Sequence, residues 1–433
     1  MGFWKYLSCK SSKDIDVFLS KSHEQFELLV AFSCKKRGFC PSCGAKRMAE
    51  TASHLVENIF PQVGIRQYVL SMPIPLRYWM ASSKKLTGEI HRIFASSVEK
   101  FYTAQRAVET TSGSIAFVQR FGSALNLNVH LHMLQIEGSY QEDPSGTHRF
   151  SRGSIPCNQD IENLVEEISS RVIRLLRRRG FLGEASEDPK PDPLFEEEPA
   201  YASCMSASVQ NRIALGLRKG KSVRFIGSGF GYEGEQAFLK SSRCVQVNGF
   251  SLHANVVIRW HRRDQLEKLI GYVARSSLST KRMSLSENGD IKYELKNKWS
   301  NGATHVLLSP LELIEKLCAL VPLPRMHLVR YWGVLAPNSR LRKGVIPGKT
   351  RAELKEREEE QEESDKEKKS NSKWSKLLAR VFQIDVSKCP KCKGEMKIIA
   401  SIMNREVVEK ILTCLGLSPQ PPPIARALFQ ELN

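Results

Sequence analysis

The sequence predicts an α+β protein with a largely antiparallel sheet, because strand-like segments alternate with amphipathic helical segments. β-branched and aromatic residues mark the strands, and the turn pair Asn288-Gly289 predicts a hairpin between two of them. Residues 304–321 fit a strand followed by a helix, and the acidic, proline-containing stretch 184–210 fits a loop. Further strands are expected at 65–74, 114–121, 126–138 and 249–260, and further helices at 86–105, 162–180 and 263–277.

Composition shifts divide the chain into segments 1–60, 61–349, 350–373 and 374–433, the third of which is a run of charged residues. The 65 lysines and arginines exceed the 46 aspartates and glutamates, which gives a net charge of +19. Such an excess favours a polyanionic partner, because each neutralised phosphate releases counterions. The 11 cysteines and the absence of a signal peptide or of an apolar run of membrane-spanning length predict a cytoplasmic protein with reduced thiols.

His130 and His132 stand two residues apart in a predicted strand. Period-2 alternation sends both imidazoles to one face and the apolar side chains around them to the other. Two imidazoles on one face are half of a divalent metal site, to which Asn128 and Gln119 could add oxygen ligands. The alternative is a pair of half-buried histidines that serve only as hydrogen-bonding groups.

Tyr272 is the candidate nucleophile, because a tyrosine hydroxyl can attack phosphorus when a metal ion or an arginine stabilises the charge. It lies in a predicted amphipathic helix, and Arg275 follows three residues later on the same side. Tyr331, which follows Arg330 in the sequence, is the rival nucleophile. The alternative for Tyr272 is a packing residue at the helix surface.

Cys40 and Cys43 form a Cys-Pro-Ser-Cys knuckle, a spacing typical of zinc sites, and Cys34 precedes it. A structural Zn²⁺ needs four ligands, so Cys9 or His23 would have to complete the set, and the site could be incomplete. The knuckle at Cys389 and Cys392 near the other end of the chain has no second pair. Basic segments with interspersed apolar residues fit single-stranded DNA, and they are 174–181, 211–225 and 330–344.

The chain resembles the IS91-like transposases of the HUH endonuclease superfamily over nearly its whole length. The stretches that carry the resemblance are AFSCKKRGFCPSCGAKR, RQYVLSMPIPLR, FVQRFGSALNLNVHLHML, GFSLHANV, LEKLIGYVAR, SPLELIEKLCALVPLPRMHLVRYWGVLAP and RVFQIDVSKCPKCKGEMKIIASI.

This resemblance implies an HUH-type antiparallel sheet with flanking helices at 61–349, a zinc-ribbon-like segment at 1–60 and a small domain at 374–433. It implies that His130, His132 and a third ligand, Gln119 or His253, hold Mg²⁺ or Mn²⁺ at a phosphate of single-stranded DNA. Tyr272 would form a 5′-phosphotyrosine and later reverse the step at a target. Two-tyrosine members carry a second tyrosine where this chain has Lys268, so one tyrosine is expected. The expected DNA-binding residues are Arg120, Arg275, Arg330, Arg177 and Arg178.

The resemblance therefore implies a transposase that nicks and joins DNA in rolling-circle-like transposition and associates with the nucleoid. One alternative is an inactive relative that binds DNA without cutting it. Another is a replication or mobilisation nuclease with the same chemistry.

Overall fold

A computed structural model describes two units of the chain, one formed by residues 1–49 with 361–433 and the other by residues 50–360. The described residues are 4–9, 27–31, 41–104, 109–182, 192–227, 242–299, 301–348 and 396–402, with 407, 410, 413 and 414. Helices and antiparallel sheets confirm the α+β class. The charged segment 350–373 and the knuckle at Cys389 and Cys392 lie outside the described residues, and the boundaries drawn from composition stay predictions.

The strands are β1 (Trp4–Cys9), β2 (Glu27–Ala31), β3 (Ile65–Ser71), β4 (Gly113–Phe121), β5 (Leu127–Ile136), β6 (Gly138–Glu142), β7 (His148–Arg152), β8 (Arg224–Ile226), β9 (Cys244–Val247), β10 (Phe250–His253), β11 (Val257–Ile258), β12 (Met283–Leu285), β13 (Ile291–Glu294), β14 (His305–Leu308), β15 (Val329–Gly333) and β16 (Met396–Ile402). The helices are α1 (Pro41–His54), α2 (Ile74–Ser82), α3 (Lys84–Thr103), α4 (Asn158–Arg178), α5 (Pro193–Glu197), α6 (Pro199–Val209), α7 (Arg263–Ala274), α8 (Pro310–Leu320) and α9 (Arg342–Val345). A π-helical turn at Leu55–Ile59 follows α1, and a 3-10 turn lies at Thr280–Arg282. None of the helices described is long and apolar enough to cross a membrane.

In the first unit, strands from both ends of the chain form one antiparallel sheet in the order β16-β1-β2. In the second unit, the main sheet has the order β15-β4-β5-β3-β10-β9, and β11 also pairs with β3. All of its strand pairs are antiparallel. Strand β5 therefore lies inside the sheet, where its backbone is hydrogen-bonded on both sides and held in a fixed register.

Alternation along the central strands produces two cores on opposite faces of the main sheet. One core holds Val129, Leu131 and Met133 of β5, and it is covered by apolar side chains of α2, α3, α4 and α6. The other core holds Leu134 and Ile136, and it is covered by α7 and the π-helical turn. The predicted separation of the apolar side chains from His130 and His132 is thus confirmed.

A second sheet has four strands in the order β12-β13-β14-β8. The predicted hairpin is confirmed, since Ser286 and Asp290 are hydrogen-bonded around a turn in which Gly289 adopts a φ of 79°. The predicted strand 249–260 is interrupted after His253 and continues only as the short β11.

The expectation of a loop across 184–210 was wrong for its second half, which forms α5 and α6. Pro193 and Pro199 stand in the first turns of these helices, where the missing N–H is tolerated and the fixed φ is helical. The apolar residues Met205 and Val209 are buried against the core, so packing outweighs the weak helical pattern.

Arg120 was predicted to contact DNA, and the structure corrects this assignment because its side chain is buried, with 3% exposure. Its guanidinium donates to the carbonyl of Ala81 at 3.2 Å and to the carbonyls of Ala319, Leu320 and Val321 at 3.3–3.4 Å. These carbonyls end helices α2 and α8, whose C-termini carry partial negative charge. Arg120 is therefore a structural cation that joins the ends of two helices to β4.

We expect Arg120→Ala to lower the free energy of unfolding by about 2–3 kcal/mol, because it leaves buried carbonyls without a donor. Urea denaturation measures the change. The control is Arg178→Ala, which removes an exposed arginine of α4 and should change stability by less than about 0.5 kcal/mol. Equal stability of the two variants would contradict the structural role.

Candidate active site

His130 and His132 project from β5 on the face that α7 covers. Their ring centroids are 4.9 Å apart, and the cross-strand partners of His130 are Gln119 on β4 and Ser71 on β3. His132 is 4% exposed. The two imidazoles therefore line one partly enclosed position between the sheet and the helix.

The two ring nitrogens of His130 have different partners. Nδ1 lies 2.8 Å from the backbone carbonyl of Asn128, which only accepts, so Nδ1 carries the proton. Burial lowers the pKa of His130 to about 4, and the charges of Arg77 and Arg275 act in the same direction. His130 is therefore neutral at pH 7, and its Nε2 presents a lone pair.

That lone pair faces the side-chain oxygen of Gln119, which lies 3.0 Å from His130 Nε2. Two acceptors at this distance repel each other unless a cation lies between them. A flip of the Gln119 amide would also remove the repulsion, because it would bring the amide NH2 group to His130 Nε2. The side-chain oxygen of Asn128 is also buried and has no hydrogen-bond partner. Two acceptors that face each other without a donor, as His130 Nε2 and the Gln119 oxygen do, are an arrangement expected where a metal ion binds.

His132 is positioned by Gln67, a buried residue of β3 whose amide nitrogen lies 2.9 Å from His132 Nδ1. Burial lowers the pKa of His132 well below its ordinary value, and the neighbouring His130 adds to this effect. The opposite nitrogen, Nε2, is buried without a hydrogen-bond partner. In this orientation the Gln67 amide nitrogen donates to Nδ1. With the amide flipped, its oxygen would accept from Nδ1–H and leave Nε2 with a lone pair for a metal ion.

Tyr272 reaches the histidines from α7. The apolar side chains Leu266, Ile270 and Val273 fix this helix on the sheet. Tyr272 lies beside Val273 and remains 37% exposed, while its ring stands edge-on to His132 with centroids 6.2 Å apart. The hydroxyl-bearing ring is thus next to the imidazoles and still open to solvent.

Two cations flank Tyr272. Arg275 Cζ lies 4.7 Å from the centroid of its ring, and Lys296 Nζ lies 4.3 Å from the centroid and 3.3 Å from the hydroxyl oxygen. Arg275 Nε is buried and has no hydrogen-bond partner. Both groups can stabilise negative charge on the tyrosine oxygen or on a phosphate beside it.

His253, the other proposed third ligand, lies on β10 opposite Val69, which in turn pairs with His132. One strand therefore separates His253 from the histidine pair. No group of three His, Cys, Asp or Glu side chains that could hold a metal ion occurs in the described part of the chain. The side-chain atom in contact with His130 Nε2 is the oxygen of Gln119.

The remaining predicted residues lie elsewhere. Arg330 projects from β15 toward Gly88 of α3, on the opposite face of the sheet from the histidines. Arg177 and Arg178 are exposed at the end of α4, the helix that packs on that same opposite face. Cys34 and Cys40 are outside the described residues, and the structure describes only the backbone of Cys43, in α1.

Tyr331, the rival nucleophile, pairs with Ile115 in β4, four residues along the strand from Gln119. At about 3.3 Å per residue, this separation is roughly 13 Å. Burial raises the pKa of Tyr331, which disfavours its ionised form.

Sequence reasoning missed Gln67 and Lys296. Gln67 shares the face of the histidines because Val69 pairs with His132, and this relation appears only once the register of β3 against β5 is known. Lys296 comes from the loop after β13 in the second sheet, and no local pattern relates it to α7.

Two protein-family models match the chain. The model described as "Putative transposase" matches residues 113–343, which include β4, β5 and α7. The IS91 model described as a transposase zinc-binding domain matches residues 3–72. No curated protein and no solved structure matches the chain. Since the first match covers more than half of the 433 residues, the chain belongs to the IS91 family of transposases.

Proposed function

We propose that this transposase is an HUH-type nuclease that nicks and joins single-stranded DNA through a 5′-phosphotyrosine at Tyr272. The observation that carries the proposal is the position of Tyr272, whose ring is 6.2 Å from that of His132 and whose hydroxyl is 3.3 Å from Lys296 Nζ. A nucleophile, lone pairs for a metal ion and cations for a phosphate are thereby side by side, as phosphoryl transfer requires.

The residues at this position fit Mg²⁺ or Mn²⁺. His130 Nε2 and the Gln119 oxygen face each other as acceptors, and His132 Nε2 has no partner. We assign His130, His132 and Gln119 as the ligands, in preference to His253. Bound there, the ion would supply a positive charge to the scissile phosphate. The low pKa values of both histidines keep each imidazole neutral at neutral pH, so that each ring has one nitrogen without a proton.

In the nicking step, the Tyr272 oxygen attacks phosphorus, and the bond from phosphorus to the 3′-oxygen breaks. The phenolic proton is released, the 3′-oxygen takes up a proton, and the 5′-phosphate stays on the tyrosine. Joining is the reverse reaction with the 3′-hydroxyl of a target strand. Lys296 and Arg275 stabilise the charge on the tyrosine and the phosphate oxygens in both directions.

Single-stranded DNA at the element ends and at the target is the proposed partner, because an extended strand can enter the open side of Tyr272. Arg275 would contact the phosphate. Arg330, Arg177 and Arg178 lie on the other face of the sheet, so any DNA contact they make is away from the nucleophile.

We also propose a Zn²⁺ ion in the N-terminal segment. The match of the transposase zinc-binding domain to residues 3–72 supports it, and the cysteines Cys34, Cys40 and Cys43 fall inside that range. Two thiolates with two residues between them, such as Cys40 and Cys43, can bind one tetrahedral ion.

Tyr272→Phe is expected to abolish the covalent adduct, because it removes the hydroxyl that is proposed as the nucleophile from the ring beside His132. The assay incubates the protein with Mn²⁺ and 3′-labelled single-stranded DNA that spans the ends of the element, then separates the products on a denaturing gel. Tyr331→Phe is the control and should retain the adduct. An adduct that survives in Tyr272→Phe and is lost in Tyr331→Phe would reverse the assignment, and retention of a 5′ label instead of a 3′ label would contradict the proposed polarity.

Lys296→Ala should slow adduct formation by about 10-fold, because the substitution removes one cation from the tyrosine oxygen in a solvent-exposed place. Single-turnover kinetics measure the rate. Lys298→Ala, two residues along the same loop, alters an exposed lysine in the same way and should leave the rate unchanged. Identical rates in the two variants would exclude a role for Lys296.

Gln67→Leu should weaken Mn²⁺ binding by about 10-fold or more, because His132 loses the partner that sets its tautomer. Titration calorimetry measures the affinity without DNA. Gln67→Glu supplies an oxygen that can accept from His132 Nδ1–H, which leaves Nε2 as the lone-pair nitrogen, and should retain binding. Wild-type affinity in Gln67→Leu would show that Gln67 does not position the histidine.

A further inference from the structure

A basic hairpin lies between α6 and β8 in the sequence, and none of its residues belongs to the group described around Tyr272. Its arms are closed by hydrogen bonds from Val223 N to Asn211 O at 2.9 Å and from Ile213 N to Lys221 O at 2.9 Å. Gly220 N donates back to Ile213 O at 2.8 Å. Residues 211–223, here named the basic hairpin, thus form a defined turn.

Three buried charged residues of α8 hold the basic hairpin in place. Glu315 accepts from the backbone N–H groups of Ala214 and Leu215 at 3.0 and 2.8 Å. Lys316 Nζ donates to the carbonyl of Arg212 at 2.6 Å, and Glu312 pairs with Arg218 at 2.7 Å. Ionised groups are costly to bury unless they are paired and hydrogen-bonded, so these contacts specify the hairpin's conformation strongly.

The hairpin presents an apolar tip between cations. Leu217 at the tip is fully exposed, and Leu215 beside it is 36% exposed. Arg212, Lys219 and Lys221 are exposed, and none of them forms an ion pair with any carboxylate of the described residues. Leu217 is not buried against any of the described residues, so its side chain is available to a partner.

We propose that the basic hairpin is a double-stranded DNA contact, in which Leu217 inserts between base pairs while Arg212, Lys219 and Lys221 bind phosphates. Leucine is among the apolar side chains that proteins use as wedges in a base step. An aliphatic side chain has no aromatic face on which single bases could stack, which favours duplex over single-stranded DNA. The three cations match the charge of the phosphates around such a step.

The location of the hairpin separates this contact from the nucleophile. It leads into β8 at Arg224, which pairs with Leu307, whereas Lys296 follows the opposite end of the same sheet, where Glu294 pairs with His305. Leu307 and His305 are two residues apart on β14, which is roughly 7 Å at about 3.4 Å per residue, and β14 lies between β8 and β13. The inference rests on the proposed function, because the duplex would be the one that flanks the nicked single strand.

The test measures binding of the full chain to a duplex and to a single strand of the same sequence, with 2-aminopurine in the duplex to report unstacking. Lys219→Ala/Lys221→Ala should lower duplex affinity and reduce the slope of log affinity against log salt by about 2, with little effect on the single strand. Leu217→Ser should remove the 2-aminopurine signal. Leu285→Ser, an equally clear change at an exposed leucine of β12, is the control and should preserve it.

Unchanged duplex binding and unchanged fluorescence in all variants would overturn the inference. A shift of oligomeric state in Leu217→Ser with unchanged duplex binding would also overturn it, because the tip would then be a protein contact; sedimentation measures this. The adduct assay on a single strand is a separate readout. Loss of the adduct in Tyr272→Phe with intact duplex binding supports both proposals, and the absence of any adduct in the wild type contradicts only the proposed function.

Discussion

The packing of one helix, α7, on one face of the main sheet is the constraint on which the candidate site depends. Leu266, Ile270 and Val273 bury the helix against the same face that carries His130 and His132. A helix places neighbouring residues about 100° apart, so the burial of Val273 leaves Tyr272 at the margin of the contact. The tyrosine is therefore both close to the imidazoles and open to a polymer substrate, without a loop having to hold it.

The site combines buried and exposed groups in an order that suits its chemistry. The histidines and Gln67 lie inside, where low pKa values keep each imidazole neutral, with one unprotonated nitrogen, and hydrogen bonds hold the rings in place. Tyr272 and Lys296 lie outside, where a phosphate can approach. Because the sheet fixes the positions of the side chains that we propose as metal ligands, little reorganisation is needed when a charged substrate arrives.

Local sequence patterns predicted much of this fold, since apolar and polar residues alternate in β5 from Leu127 to Met133 and the hairpin at Gly289 has a diagnostic turn. They predicted the histidine pair and Tyr272 as candidates, although not that they meet, because the contact depends on the packing of α7 over β5. The same limit explains Arg120, whose charge suggested DNA. Alternation alone could have placed Arg120 opposite Gln119, but only the tertiary structure shows the helix ends that it binds.

Gln119 and Arg120 are adjacent in β4 and project to opposite faces of the main sheet. The guanidinium of Arg120 binds the C-terminal ends of α2 and α8, and the side-chain oxygen of the adjacent Gln119 contacts His130. Arg120 therefore fixes the position of β4 relative to the ends of α2 and α8. A displacement of the C-terminal end of α2 or α8 would therefore be transmitted through Arg120, one peptide away, to the Gln119 oxygen that we propose as a metal ligand.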